Sequence, residues 1–169
     1  MATTLNQEAR SVQNPGLGAM LLWRCSSGFS DSHERADAIA LPLLFFVLPI
    51  MFHEETSHLL ISTQRASGLR KFAEKFQLAA QNKTDLLLAI GPRAQTMRRL
   101  TMHSVGIAVL SRLIAIDEKS ATAVALSRTP AIAGIPASVR PLLTGAEKLG
   151  FWFGQLSLYE TALLLQVRI

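Results

Sequence analysis

An uncharged apolar run of 15 residues, Ala38 to Phe52, carries prolines at positions 42 and 49. A helix that crosses a bilayer needs about 20 such residues, and a proline inside a helix removes a backbone donor and kinks the axis. His53, Glu54 and Glu55 follow the run directly. The combination predicts a buried core segment rather than a membrane span. Leu41-Pro42 suits a helix start, because proline in the first turn loses no hydrogen bond. Leu43 to Leu48 shows no clean two-residue or 3.6-residue period, which predicts burial on all sides. Pro49 is expected to kink this helix or begin a new turn, and a strand over Leu43 to Leu48 is the competing reading.

A chain of 169 residues is the size of one domain, and a 49% hydrophobic content supports a sizeable core without metals or disulfides. The single Cys25 excludes an internal disulfide framework and a cysteine-based zinc cluster, and reads as a buried small hydrophobe. Residues 1–13 are polar, lack the apolar core of a secretory signal and are expected to form a flexible tail ahead of one domain over 14–169. A cytoplasmic, soluble protein with no membrane partner is the expectation.

Charge is placed unevenly. Residues 65–112 hold nine basic and two acidic groups, against three basic and six acidic in residues 1–64. The basic groups are Arg65, Arg70, Lys71, Lys75, Lys83, Arg93, Arg98, Arg99 and Arg112. Such a stretch suits an acidic protein surface or nucleic acid, or serves simply as a solvated face.

Asn14-Pro15 is a helix start, with Asn capping free amides. The helix is expected to end at Ser26-Ser27-Gly28, and Asp31 to Glu34 has capping-box spacing for a short helix beyond it. Leu69 to Ala80 reads as amphipathic, with Leu69, Phe72, Phe76 and Leu78 or Ala79 inward and Arg70, Lys71, Glu74 and Lys75 outward. Thr84 is expected to cap a helix through Ile90, and Gly91-Pro92 to reset the chain. A long helix over about 93–113 would present Met97, Leu100, Ile107, Leu110 and Ile114 on one side, with Gly106 and Ala108 allowing a close neighbour. Leu113 to Ile116 and Ala121 to Ser127 then flank a four-residue turn, Asp117 to Ser120, as a β-hairpin. Capping boxes at Thr144-Gly-Ala-Glu147 and Ser157-Leu-Tyr-Glu160 predict helices at about 145–153 and 158–165, and Val167 to Ile169 a short strand. Helices followed by a hairpin predict an α+β, mainly helical fold. Its core would resemble a winged helix-turn-helix at about 41–126, with further helices on both sides.

The chemistry of an active site is not apparent. His53 and His58 are five positions apart, which turns a side chain through about 500° on a helix, so they do not share the face a zinc-protease motif needs. Gly145 to Gly150 lacks the Gly-Lys-Ser/Thr ending of a phosphate loop. Acidic residues are sparse and no serine has a glycine-framed elbow. No enzyme activity, cofactor or metal is expected. Arg98-Arg99 offers guanidiniums for phosphates or guanines, but its neighbours are largely apolar and the hairpin turn carries Asp117 and Glu118.

Several motifs occur in an order that resembles the middle component of bacterial three-component ABC-ATPase systems. They are Asn14-Pro15, Leu21-Leu22-Trp23, Gly28-Phe29, Leu41-Pro-Leu-Leu-Phe-Phe-Val-Leu-Pro-Ile50 with His53-Glu54, the Ser62 to Ser67 loop, the Leu69 to Phe76 helix, Ala146-Glu-Lys-Leu-Gly-Phe-Trp-Phe153 and Leu163 to Val167. The resemblance implies a winged-helix-like, non-enzymatic adaptor. It would bridge a chromosome-maintenance or repair-type ABC ATPase and an effector-bearing third subunit, in defence against phage or foreign DNA. On that reading Trp23, Phe151, Trp152, Phe153 and Tyr159 are candidate interface anchors, since aromatic residues dominate hot spots. Arg65, Arg70, Lys71, Lys75, Arg93, Arg98, Arg99 and Arg112 are candidate contacts to an acidic partner or to DNA. A stand-alone winged-helix DNA-binding regulator, usually a homodimer, is the alternative.

Overall fold

A computed structural model describes residues 13–32, 38–78, 83–128 and 133–168. The expected tail, apart from Gln13, lies outside these residues, as do His33 and Glu34 of the expected Asp31–Glu34 capping box and the last two residues of the expected Leu69–Ala80 helix. Helix α1 spans Pro15–Ser32, and Asn14 Oδ1 accepts from Gly16 N at 2.7 Å as its cap. Strand β1 (Ile39–Ala40) leads into α2 (Leu41–Met51) and α3 (Glu54–Ile61). A 3-10 turn at Arg65–Ser67 precedes α4 (Gly68–Leu78), α5 (Thr84–Leu88), α6 (Ile90–Thr96) and α7 (Arg98–Leu110). The hairpin β2 (Ile114–Asp117) and β3 (Thr122–Ala125) follows, then α8 (Arg140–Gly154) and α9 (Leu158–Leu165). The fold is α+β and mainly helical, with an antiparallel sheet in the order β1-β3-β2.

The core is built around α1, which packs most extensively on α8 and then on α7. Every residue from Leu21 to Ser30 is buried. The expected stop at Ser26-Ser27-Gly28 is therefore corrected: the helix continues for one more turn and takes in Asp31 and Ser32. Ser26 Oγ donates to Leu22 O at 2.9 Å and Ser30 Oγ to Ser26 O at 3.2 Å, so the hydroxyls are satisfied within the helix. The small residues serve the crossing. A Cβ on Gly28 would overlap the Glu147 carbonyl, and one on Gly150 the Cys25 carbonyl. A Cβ on Gly18 would instead meet the Ser104 side chain of α7. Gly106, by contrast, has open space around it and brings no neighbour close.

The two-proline segment is a helix, as read, and not a strand. Pro42 sits in its first turn and Pro49 in its last. The chain bends by 103° between α2 and α3. No single helix among the described residues is long and apolar enough to cross a membrane.

Several other boundaries differ from expectation. Gly91-Pro92 lies inside α6, where proline in the first turn replaces an amide that has no intrahelical acceptor. Met97 divides the expected long helix into α6 and α7. The buried residues of α7 are Thr101, Ser104 and Ala108, while Leu110 is 85% exposed. Thr144 does not cap a helix: α8 begins upstream with Pro141 in its first turn, and Thr144 Oγ1 donates back to Arg140 O at 3.1 Å. The Ser157–Glu160 capping box is complete. Val167 and Arg168 form no strand.

The hairpin forms where expected but one residue later: Asp117 is the last residue of β2 and pairs with Thr122, so the turn is 118–121. Asp117 holds the turn by accepting from Lys119 N at 3.0 Å and Ser120 Oγ at 2.8 Å, and Ala121 takes the left-handed conformation (φ 51°). β1 adds a third strand, too short to be read from sequence. Ala123, rather than the bulkier alternating residues, faces the core, and this lets β3 lie against α1.

Candidate protein-docking surface

The Ala146–Phe153 stretch holds the fold together. Glu147 pairs with Arg24, which is buried in α1 and also donates to Arg128 O at 3.1 Å. Lys148 Nζ donates to Leu60 O, Ile61 O and Thr63 O at 3.1, 2.9 and 2.6 Å, an ammonium on the carbonyls at the C-terminal end of α3. Burial lowers its pKa, with Lys75 adding repulsion. Trp152 Nε1 donates to Arg65 O at 2.7 Å, and its ring lies 5.9 Å from that of Phe72.

Those contacts correct the aromatic candidates. Trp152 and Phe153 are fully buried in this chain's own core. Trp23 is buried as well, with Nε1 donating to Ser127 O at 2.7 Å. None of the three offers a surface to a partner in this conformation. Phe151 is half-buried beneath the Arg65 guanidinium, 4.0 Å from the ring centroid. Tyr159 is 72% exposed and remains open to a partner. Cys25 is buried, and desolvation pushes its thiol pKa well up.

The basic stretch does not form one face. Arg93 points inward: Nη1 donates to Pro49 O at 2.9 Å and to Thr56 Oγ1 at 3.2 Å, Nη2 to Leu86 O at 2.8 Å and Nε to Ala89 O at 3.2 Å. It is a clamp joining the ends of α2 and α5, which corrects its reading as a surface cation. Lys71 pairs with Glu74 at 3.3 Å and Lys83 with Glu55 at 2.9 Å. Lys75 donates to Ser62 O at 3.3 Å, and Arg65 lies 3.8 Å from Glu147. Arg70, Arg98, Arg99 and Arg112 are exposed.

Among the described residues no group of three His, Cys, Asp or Glu is placed to hold a metal. His53 is the cap of α3: its Nδ1 lies 2.8 Å from Thr56 Oγ1 and accepts from Thr56 N at 3.4 Å. Burial first, then Arg93, lowers its pKa from the ordinary 6.5. A depressed histidine pKa means that the unfolded chain binds more protons than the folded one as pH falls. The stabilisation is present above about pH 6.5 and is lost as pH falls through the folded pKa. Thermal melts from about pH 7.5 to about pH 5.5 should show a falling Tm, and His53→Asn, a cap that does not titrate, should flatten that slope.

The open surface is elsewhere. A groove of about 740 Å³ runs between the start of α2, the α5–α6 junction, the start of α7 and the tail after α9. Leu41, Pro42, Phe45, Leu88 and Pro92 line it, together with Arg98 and Arg168. Leu41, Pro42 and Phe45 are only half-buried, so the start of α2 is not enclosed on all sides as its composition suggested. Of these residues only Arg98 was a sequence candidate. Arg168, a lone cation after the Leu-rich end, was the available signal for the rest. On α7, Met102, Val109 and Leu110 are exposed, as is Arg99.

This arrangement defines a helical α+β protein whose polar side chains largely fasten its own helices and which leaves open an apolar groove carrying two arginines. The chain belongs to the ABC-three component (ABC-3C) system Middle Component 3 family, whose model matches residues 2–169. It is thus a component of a three-component ABC system. No curated protein and no solved structure matched it.

Proposed function

We propose that the chain is a non-enzymatic adaptor bridging a chromosome-maintenance or repair-type ABC ATPase and an effector-bearing partner, in a complex directed against phage or foreign DNA. Membership of the middle-component family supports the subunit role. The observation that carries the bridging reading is a contrast: the conspicuous motif at 146–153 is consumed internally, while the groove and the apolar residues on α7 stay open. A winged-helix core is part of this reading. It is supported by the hairpin directly after α7 and by the sheet order β1-β3-β2.

A stand-alone DNA-binding regulator is favoured by one feature, the exposed Arg98 and Arg99 at the start of α7. Against it, the same helix exposes Met102, Val109 and Leu110, and the hairpin turn carries Asp117 and Glu118. Co-expression with the products of neighbouring genes separates the two. The adaptor should co-purify with a large ATPase, with a mass by light scattering that exceeds either alone. A homodimer that ignores those products and releases duplex DNA steeply as salt rises would put the regulator first.

A further inference from the structure

The groove is more than an apolar depression, because its two cations are unmatched. None of its lining residues is acidic. Among the described residues neither Arg98 nor Arg168 has an ion-pair partner, although five other ion pairs are formed. Arg98 and Arg99 also occupy the first turn of α7, which holds no acidic residue, and Met97 before them supplies no side-chain cap. Two guanidiniums at the positive end of a 13-residue helix oppose its dipole, and an anion there would relieve both. The apolar wall carries Leu88, which is 48% exposed, the exposed ring of Pro92 and the half-buried Phe45. The volume lies within the roughly 300–1,000 Å³ of ligand pockets and accommodates several side chains.

We propose that this groove seats an acidic segment of a partner protein in the same system, its apolar side chains packed on Phe45, Leu88 and Pro92 and its carboxylates paired with Arg98 and Arg168. The proposal rests on the adaptor reading and names its docking site. Apolar anchors supply affinity, while the carboxylates fix register and exclude partners that lack them.

The test uses the full chain co-expressed with the other components, as wild type, as Leu88→Asp and as Arg98→Glu with Arg168→Glu. All three altered side chains are exposed, so circular dichroism melts should show no loss of stability relative to wild type. Each variant should weaken partner binding by about tenfold or more. A photo-crosslinking benzoylphenylalanine at position 88 should attach to a partner segment rich in Asp or Glu. Reversing those carboxylates to Arg should restore binding to the Arg98→Glu, Arg168→Glu variant. If the wild-type complex forms and both variants bind as tightly as wild type, the groove assignment is overturned and the adaptor reading stands. If wild type captures no other component, both fall together. Crosslinks to nucleic acid alone, with DNA binding lost in the arginine variant, would overturn the protein segment as occupant.

Discussion

Gly150→Ala and Gly28→Ala are each expected to cost about 4 kcal/mol or more, enough to unfold a chain of ordinary marginal stability. The reason is the approach of α1 and α8. A Cβ added at Gly150 would overlap the Cys25 carbonyl oxygen and sit 2.7 Å from its carbonyl carbon, and one at Gly28 would sit 2.7 Å from the Glu147 carbonyl carbon. The obstacle in each case is backbone inside a helix, which cannot rotate away as a side-chain tip does. Relief would require separating the two helices. That would loosen the central core to which Leu21, Leu22, Cys25, Leu149 and Phe153 belong and disturb the Arg24–Glu147 pair. Gly106→Ala supplies the opposite sign, since nothing lies within 4 Å of that position. Alanine there should stabilise by about 0.5–1 kcal/mol through helix propensity. Urea melts followed by circular dichroism measure both effects. A stable, cooperatively folding Gly150→Ala protein would show that the helices do not cross this closely.

The second large effect is expected at Arg93→Met, about 2–4 kcal/mol of destabilisation and a fall in Tm on the order of 10 °C. Methionine keeps much of the stem but leaves Pro49 O, Leu86 O and Ala89 O without the guanidinium. Those carbonyls lie at or near helix C-termini, where a cation also meets the negative end of the dipole. Burial lowers the Arg93 pKa, yet a guanidinium stays protonated throughout the accessible pH range. Arg93→Lys should recover only part of the loss, because one ammonium cannot reach acceptors lying in several directions from a planar fork. Arg112→Met, at an exposed position, should change stability by no more than about 0.5 kcal/mol. Equal melting temperatures for Arg93→Met and wild type would contradict the clamp.

The elements that could be read from sequence are those governed by local chemistry. Asn14-Pro15, the two-proline segment, the amphipathic stripe of Leu69, Phe72 and Phe76, the hairpin held by Asp117 and Ser120 and the Ser157 capping box each carry their own hydrogen-bonding or periodic signature. The failures share a different physics. Ser26-Ser27-Gly28 has the composition of a helix stop and the function of a helix crossing, and only the partner helix distinguishes them. Thr144-Gly-Ala-Glu147 has capping-box spacing, but Glu147 is drawn to Arg24, 123 positions away in sequence. Leu78, one of two positions offered for the apolar stripe of α4, is 72% exposed, and the other, Ala79, lies outside the described residues. Trp152 and Phe153 look alike as hot-spot anchors and as core. Arg93 is indistinguishable from its surface counterparts until Pro49 and Leu86 are brought beside it. The groove was illegible because it is assembled from four separate parts of the chain, of which sequence flagged only Arg98.

The central claim is that the chain physically joins its partners, and an omission experiment tests it most directly. The ATPase of the system is tagged and captured from cells expressing all three components or the same set without this chain. The account predicts that the third component is recovered with the ATPase only when this chain is present, in stoichiometric amount with it. Equal recovery of the third component in its absence would contradict bridging.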